Sequence, residues 1–197
     1  MHSSLQFYPN LTPRQVIEAG AFGGCYFGYP IEDPTDYDYD TLFKYHFDGL
    51  DKELYLGEKY NSKSNKWGIR SGKDYQFWKG MGWIHKEDPY GWFEWWCKYD
   101  MGRRGEDDRR QIARWQDFCG TKGRWRNNIY NKLQKTSDYS SKEDWNVSPR
   151  IQQSLLHWGY EINNYDYLEW SMEREKKGGT QETNICNYSG LRSIARY

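Results

Sequence analysis

Trp92, Trp95, Trp96 and Tyr99 fall at i, i+3, i+4 and i+7, and this stripe limits the possible folds more than any other feature of the chain. The spacing marks one face of an α-helix. Phe93 and Cys97 widen that face until more than half of the circumference is apolar, which places the helix in a core. Asp88-Pro89-Tyr90-Gly91 opens it, and Gly102 stands where a left-handed C-terminal cap is required.

More helices follow from the same kind of signal. Glu106, Asp107 and Asp108 put negative charge at a helix start, where it complements the dipole. Ile112, Trp115, Phe118 and Cys119 then form an inner face, and Gly120 and Gly123 break the chain. Trp125, Ile129 and Leu133 share the face of a third helix. Ser148-Pro149-Arg150 opens a fourth, with Ser148 as cap, Ile151, Leu155 and Trp158 as its face and Gly159 as its stop. Near the start, Thr12-Pro13-Arg14-Gln15 has the capping-box pattern. Shorter helices are expected over Asp40–Phe47 and from Asp74 to Lys79.

The expected fold is therefore mainly α: a single aromatic-rich helical domain over residues 1–172, with long loops and room for a minor β-sheet. Its core helices lie at 90–101, 106–119, 121–134 and 148–158. Residues 135–146 read as a linker. Residues 173–197 read as a charged, partly mobile segment that docks back through Ile185, Tyr188, Leu191 and Ile194.

Only 37% of the residues are hydrophobic, but 19% are aromatic, and large rings replace many aliphatic side chains in a core. The four cysteines form no CxxC pair and the four histidines are scattered, so no metal-ligand spacing is present and no cofactor is expected. Free thiols point to a reducing, intracellular setting, cytoplasm or nucleus. No signal-peptide pattern follows Met1, and the apolar runs are too short for a membrane span.

A net charge of zero hides polarity. Between Lys98 and Lys135 eleven Lys or Arg face five Asp or Glu, whereas residues 1–58 carry ten acids and three bases. Arg103, Arg104, Arg110, Arg124 and Arg126, interleaved with Trp125, have the chemistry to hold phosphates and stack on bases. Pairing with Asp107 and Asp108 inside the protein is the competing use of these arginines. His157 and Asp108, with Glu161 or Asp107 nearby, form a candidate acid/base set. Gly23-Gly24 is a sharp turn or a ligand loop, although no GKS, GKT or GxGxxG pattern accompanies it.

The stretches GAFGGCYF, NKWGIRSG, GWIHKEDPYGWFEWWCKYDMGRR, DDRRQIARW and SPRIQQSLLHWGYE resemble a family of microbial eukaryotes and large-genome viruses that has no assigned activity. The resemblance spans about residues 9–161 and implies that these motifs belong to one unit.

Three functions stay open on this reading. The leading one is a nucleic-acid-associated protein that binds DNA or RNA through the Arg/Trp segment, in base or nucleotide modification. The second is an enzyme acting on a small phosphorylated or polar substrate with His/Asp acid–base residues. The third is an interaction protein with a protein partner in a larger assembly.

Overall fold

The computed structural model describes residues 7–31, 35–135 and 147–177. The expected linker over 135–146 lies outside them except for Lys135, which ends a helix, and the expected docking of residues 185–197 lies outside them. The chain divides into two compact units, Met1–Ile162 and Asn163–Tyr197.

The first unit is helical: α1 (Pro13–Glu18), α2 (Tyr39–Phe47), α3 (Tyr75–Gly80), α4 (Trp92–Asp100), α5 (Asp108–Cys119), α6 (Arg124–Lys135) and α7 (Pro149–His157), with 3₁₀ turns at Phe22–Gly24, Lys52–Leu54 and Ser62–Ser64. Among the described residues there is no β-sheet, only an isolated bridge between His85 and Asp88. The fold is mainly α with long connections, as the sequence predicts.

Helix α4 is the core. Trp92, Phe93, Trp95, Trp96 and Cys97 are buried. The Phe7 ring meets Trp92, Trp95, Trp96, Tyr99 and Trp115 edge-on at 5.3–6.1 Å. Edge-to-face contacts of this kind suit the ring quadrupoles. The same helix also buries Glu94 and Lys98, which no apolar stripe reveals. Their ion pair spans 2.8 Å, and Lys98 lies 3.3 Å from the fully buried Asp88. Glu94 further accepts from the Tyr39 hydroxyl and the Tyr90 amide, so its remaining lone pairs are satisfied.

Gly102 ends α4 at φ +99°, and Gly159 follows α7 at φ +70°. In both places the paired amide-to-carbonyl bonds of a Schellman motif form: Arg103 to Lys98 and Gly102 to Tyr99, then Tyr160 to Leu155 and Gly159 to Leu156. The capping box of α1 forms between Thr12 and Gln15. Ser148 differs from the expectation. It sits at φ +52° and makes no side-chain cap; its hydroxyl instead accepts from Lys132.

Helix α5 packs on α6, and α6 on α7. On α6 the buried positions are Arg126, Ile129, Tyr130 and Leu133, so the inner face is rotated from the expected Trp125, Ile129, Leu133 line. The second unit contains α8 (Asn164–Lys177), capped by the Asn163 side chain, which accepts from the Asp166 amide. Within α8 the Tyr167 and Trp170 rings stack and Arg174 lies over Trp170. Among the described residues no helix is long and apolar enough to cross a membrane.

Candidate ligand cleft

The indole of Trp158 is the floor of a cleft in the first unit. It packs between the rings of Trp92 at 4.2 Å and Phe118 at 4.9 Å. Its position is fixed from both sides. Trp115 Nε1 donates to the Trp158 carbonyl at 2.9 Å, and Trp92 Nε1 donates to the His157 carbonyl at 3.3 Å. Around this floor α3, α5, α6, α7 and the segment Trp83–Gly91 enclose about 430 Å³. That is the size of a small-molecule site.

Charge distinguishes the cleft. Its walls carry Lys73, Arg114 and Arg124, and among the described residues no Asp or Glu lines it. Arg124 lies over Trp125 at 4.7 Å, and Arg114 lies between the rings of Trp83 at 5.4 Å and Trp158 at 5.5 Å. Among the described residues Arg114 forms no ion pair; its Nη1 donates to the neutral Gln111 Oε1 at 3.0 Å. Burial, reinforced by the neighbouring charge of Arg110, holds its pKa below the usual arginine value. A half-buried cation without a counter-ion is costly, and an anion in the cleft would remove that cost.

Behind Arg114 a polar chain leads along α5. Gln111 Nε2 donates to Asp107 Oδ2 at 2.9 Å, and Asp107 also receives the Arg110 guanidinium at 2.5 and 2.7 Å. These bonds to Arg110 and Gln111 hold the Asp107 pKa below the usual carboxylate range against the opposing effect of burial. His85, Asp88 and Asp107 form a cluster whose nitrogen and oxygen atoms all lie within 4.8 Å of one another, near enough to share a metal ion or a proton. The sequence expectation of no metal-ligating set did not include this cluster, because His85 sits in a turn and Asp107 at a helix cap.

The neighbours of the cluster weigh against a cation there. Both Asp88 oxygens receive the Arg103 fork at 2.7 Å, with Lys98 beside them. The Glu87 amide donates to His85 Nδ1 at 3.4 Å, so Nδ1 is the accepting nitrogen and Nε2 carries the ring hydrogen. A metal on Nε2 needs the opposite tautomer. The surroundings therefore do not suit a metal ion.

The residues singled out from sequence take several different places. Arg103 and Arg110 have their forks on Asp88 and Asp107. Arg104 donates to the Tyr99 and Arg103 carbonyls at the end of α4. Arg126 is buried over Tyr130 and Tyr160. Arg124 and Trp125 line the cleft. Asp108 does not join His157: its oxygens accept from Trp95 Nε1 and from the Gly105 amide. Glu161 forms an ion pair with Lys66.

His157 lines the cleft, and its Nε2 accepts from the Phe22 amide at 3.1 Å. The amides of Gly23 and Gly24 are already donated, to Asn65 Oδ1 and to the Ala21 carbonyl, so this turn offers no phosphate cradle. A Cβ at Gly23 would lie 2.6 Å from the Tyr60 ring, and one at Gly24 would lie 2.5 Å from the Glu53 carbonyl. Both positions also lie at positive φ, +62° and +77°, so tight packing and left-handed backbone together call for glycine.

The first unit is thus a helical, aromatic-rich domain with a buried His/Asp cluster and a salt-bridge network beside an aromatic cleft. Comparison of the chain with family models, with curated proteins and with solved structures gives no match.

Proposed function

We propose that the first unit holds a small, planar, phosphorylated ligand in the Trp158 cleft and is the substrate-binding part of an enzyme. The observation that carries this reading is Arg114, a half-buried guanidinium between two indoles with no carboxylate partner among the described residues. Arg124 and Lys73 add positive charge on the same walls, and no acid among the described residues opposes them. The rings supply flat surfaces for a planar group, and the guanidinium forks suit a phosphate.

The test is calorimetric titration with 1-naphthyl phosphate and with nucleoside monophosphates, each against its dephosphorylated counterpart. Phosphate should tighten binding, added salt should weaken it, and Arg114→Met should cut the affinity at least tenfold. Equal affinity with and without phosphate would sink the reading.

The chemistry of the enzyme reading rests on the chain Arg114–Gln111–Asp107 beside His85. A His–carboxylate cluster joined to the ligand-binding arginine is suited to acid–base work. His85→Gln should leave ligand affinity intact and abolish any conversion of a bound nucleotide seen by mass spectrometry. If His85→Gln converted it at the wild-type rate, His85 would have no catalytic part.

Nucleic acid is the second reading, because a base and phosphate at a strand end offer the same chemistry to the cleft. With Arg103 and Arg110 on carboxylates and Arg126 buried, a continuous phosphate track is less well supported than a single bound phosphate.

A further inference from the structure

The hydrogen bonds around His157 determine which of its nitrogens carries the proton. The Gln153 amide is oriented by two backbone groups: its Oε1 accepts from the Trp67 amide at 3.3 Å, and its Nε2 donates to the Gly20 carbonyl at 3.0 Å. The other hydrogen of that Nε2 faces His157 Nε2 at 3.1 Å. The Phe22 amide points at the same imidazole nitrogen, also at 3.1 Å. Two donors converge on Nε2, so Nε2 is the unprotonated nitrogen and the neutral ring carries its hydrogen on Nδ1.

Burial keeps the ring neutral, with its pKa pushed down to about 3. Phe22 stacks on it at 4.3 Å and limits its rotation. Nδ1 faces the cleft wall at Gly72, where an added methyl would lie 3.8 Å away, and Gly72 and His157 both line the cavity. Among the described residues no acceptor pairs with Nδ1.

We infer that His157 reads the ligand by donating from Nδ1 to a carbonyl oxygen or ring nitrogen, which makes a nucleobase carrying a phosphate the substrate class of the cleft. This rests on the reading of a planar phosphorylated ligand and narrows it. A nitrogen that is always a donor accepts no N–H group, so the contact selects between ring edges. It also leaves the phosphate to Arg114 and Arg124, while the indoles take the faces of the base.

The experiment is calorimetric titration of the full chain with the four common nucleoside monophosphates and with 1-naphthyl phosphate, which is planar and phosphorylated but has no ring acceptor. The proteins are the wild type and His157→Gln. The glutamine carbonyl can still accept from Phe22, but nothing then stands at the Nδ1 position. At least one nucleotide should bind about tenfold tighter than 1-naphthyl phosphate, the worth of one well-made hydrogen bond. That advantage should vanish in His157→Gln while naphthyl phosphate affinity holds.

A nucleotide advantage unchanged in His157→Gln overturns the inference, as does naphthyl phosphate binding as well as every nucleotide; in both cases the planar phosphate reading survives. Binding of neither probe class to the wild type overturns both. If His157→Gln does not fold, nitrogen-15 correlation spectra of the wild-type imidazole decide: a proton on Nε2 overturns the inference, and a proton on Nδ1 whose signal moves on nucleotide addition and not on naphthyl phosphate addition upholds it.

Discussion

The backbone amide of Phe22 donates to Nε2 of His157 at 3.1 Å, a bond between residues 135 positions apart in the chain. It joins a left-handed turn, with Phe22 at φ +55°, to the C-terminal end of α7. Because the acceptor is a titratable nitrogen, this long-range tie also makes folding depend on pH.

His157 titrates at about 3 when folded, against 6.5 for an unperturbed histidine. Between those values the unfolded chain binds a proton that the folded chain does not, so stability rises with pH. The contribution is complete above pH 6.5 and is lost progressively as pH falls toward 3. The slope from this one group approaches roughly 1.4 kcal/mol per pH unit. Urea midpoints measured from about pH 4 to pH 7 should show a slope shallower by about one proton in His157→Gln. Buried His46, whose pKa is also lowered, is common to both proteins and cancels in the comparison. Parallel slopes would mean that His157 is not held neutral.

The two Schellman glycines separate backbone strain from packing. At Gly102 (φ +99°) a Cβ would meet nothing within 4 Å, so Gly102→Ala should cost only the left-handed penalty, about 1–2 kcal/mol. At Gly159 (φ +70°) a Cβ would lie 2.2 Å from Trp96 Cη2, and Trp96 is only 1% exposed. Gly159→Ala should therefore cost a further 1–3 kcal/mol or more through overpacking of the core. Thermal melts of the two variants are the check, and equal losses would show that Trp96 can move aside.

The same pair marks the limit of what the sequence discloses. Both stops were readable, because Gly after a periodic apolar run is a local signal. That Gly159 also makes room for Trp96 was not, since the contact is tertiary. The Trp stripe of α4 and the Thr12 capping box were legible for the same local reason. Ser148 carries the same kind of local signal as Thr12, yet its hydroxyl is taken by Lys132 from another helix. The arginines show the gap most clearly. Composition places them together, but Asp88 and Asp107 take two of them and a tyrosine pair covers a third. Arg114, half-buried and without an acid among the described residues, stands out only once the cleft is assembled.

Arg110 governs what the His85–Asp88–Asp107 cluster can hold. Its fork occupies both Asp107 oxygens, and its side chain is 40% exposed, so it can leave without tearing the core. Arg110→Ala should leave Asp107 with only the Gln111 bond and remove one repelling charge. Affinity for Zn²⁺ or Mn²⁺, measured by titration calorimetry, should rise in the variant over a weak wild-type baseline. Equal affinities would show that the guanidinium does not compete with the ion.

Arg114 sets binding against stability. In the free protein its guanidinium is half-buried, bonded to Gln111 and, among the described residues, without an acid, so it carries a desolvation cost that a ligand anion would offset. Methionine fills similar space, keeps contact with Trp83 and Trp158, and has no charge to desolvate. Arg114→Met should therefore raise unliganded stability, on the order of 1 kcal/mol, visible as a higher thermal midpoint. The same substitution should abolish the stabilisation that a phosphorylated planar ligand gives the wild type, since a ligand stabilises only the state that binds it. A less stable variant would mean that the Gln111 bond and ring contacts outweigh the desolvation cost. Arg114 would then be a structural cation, and the main support for an anion site would be gone.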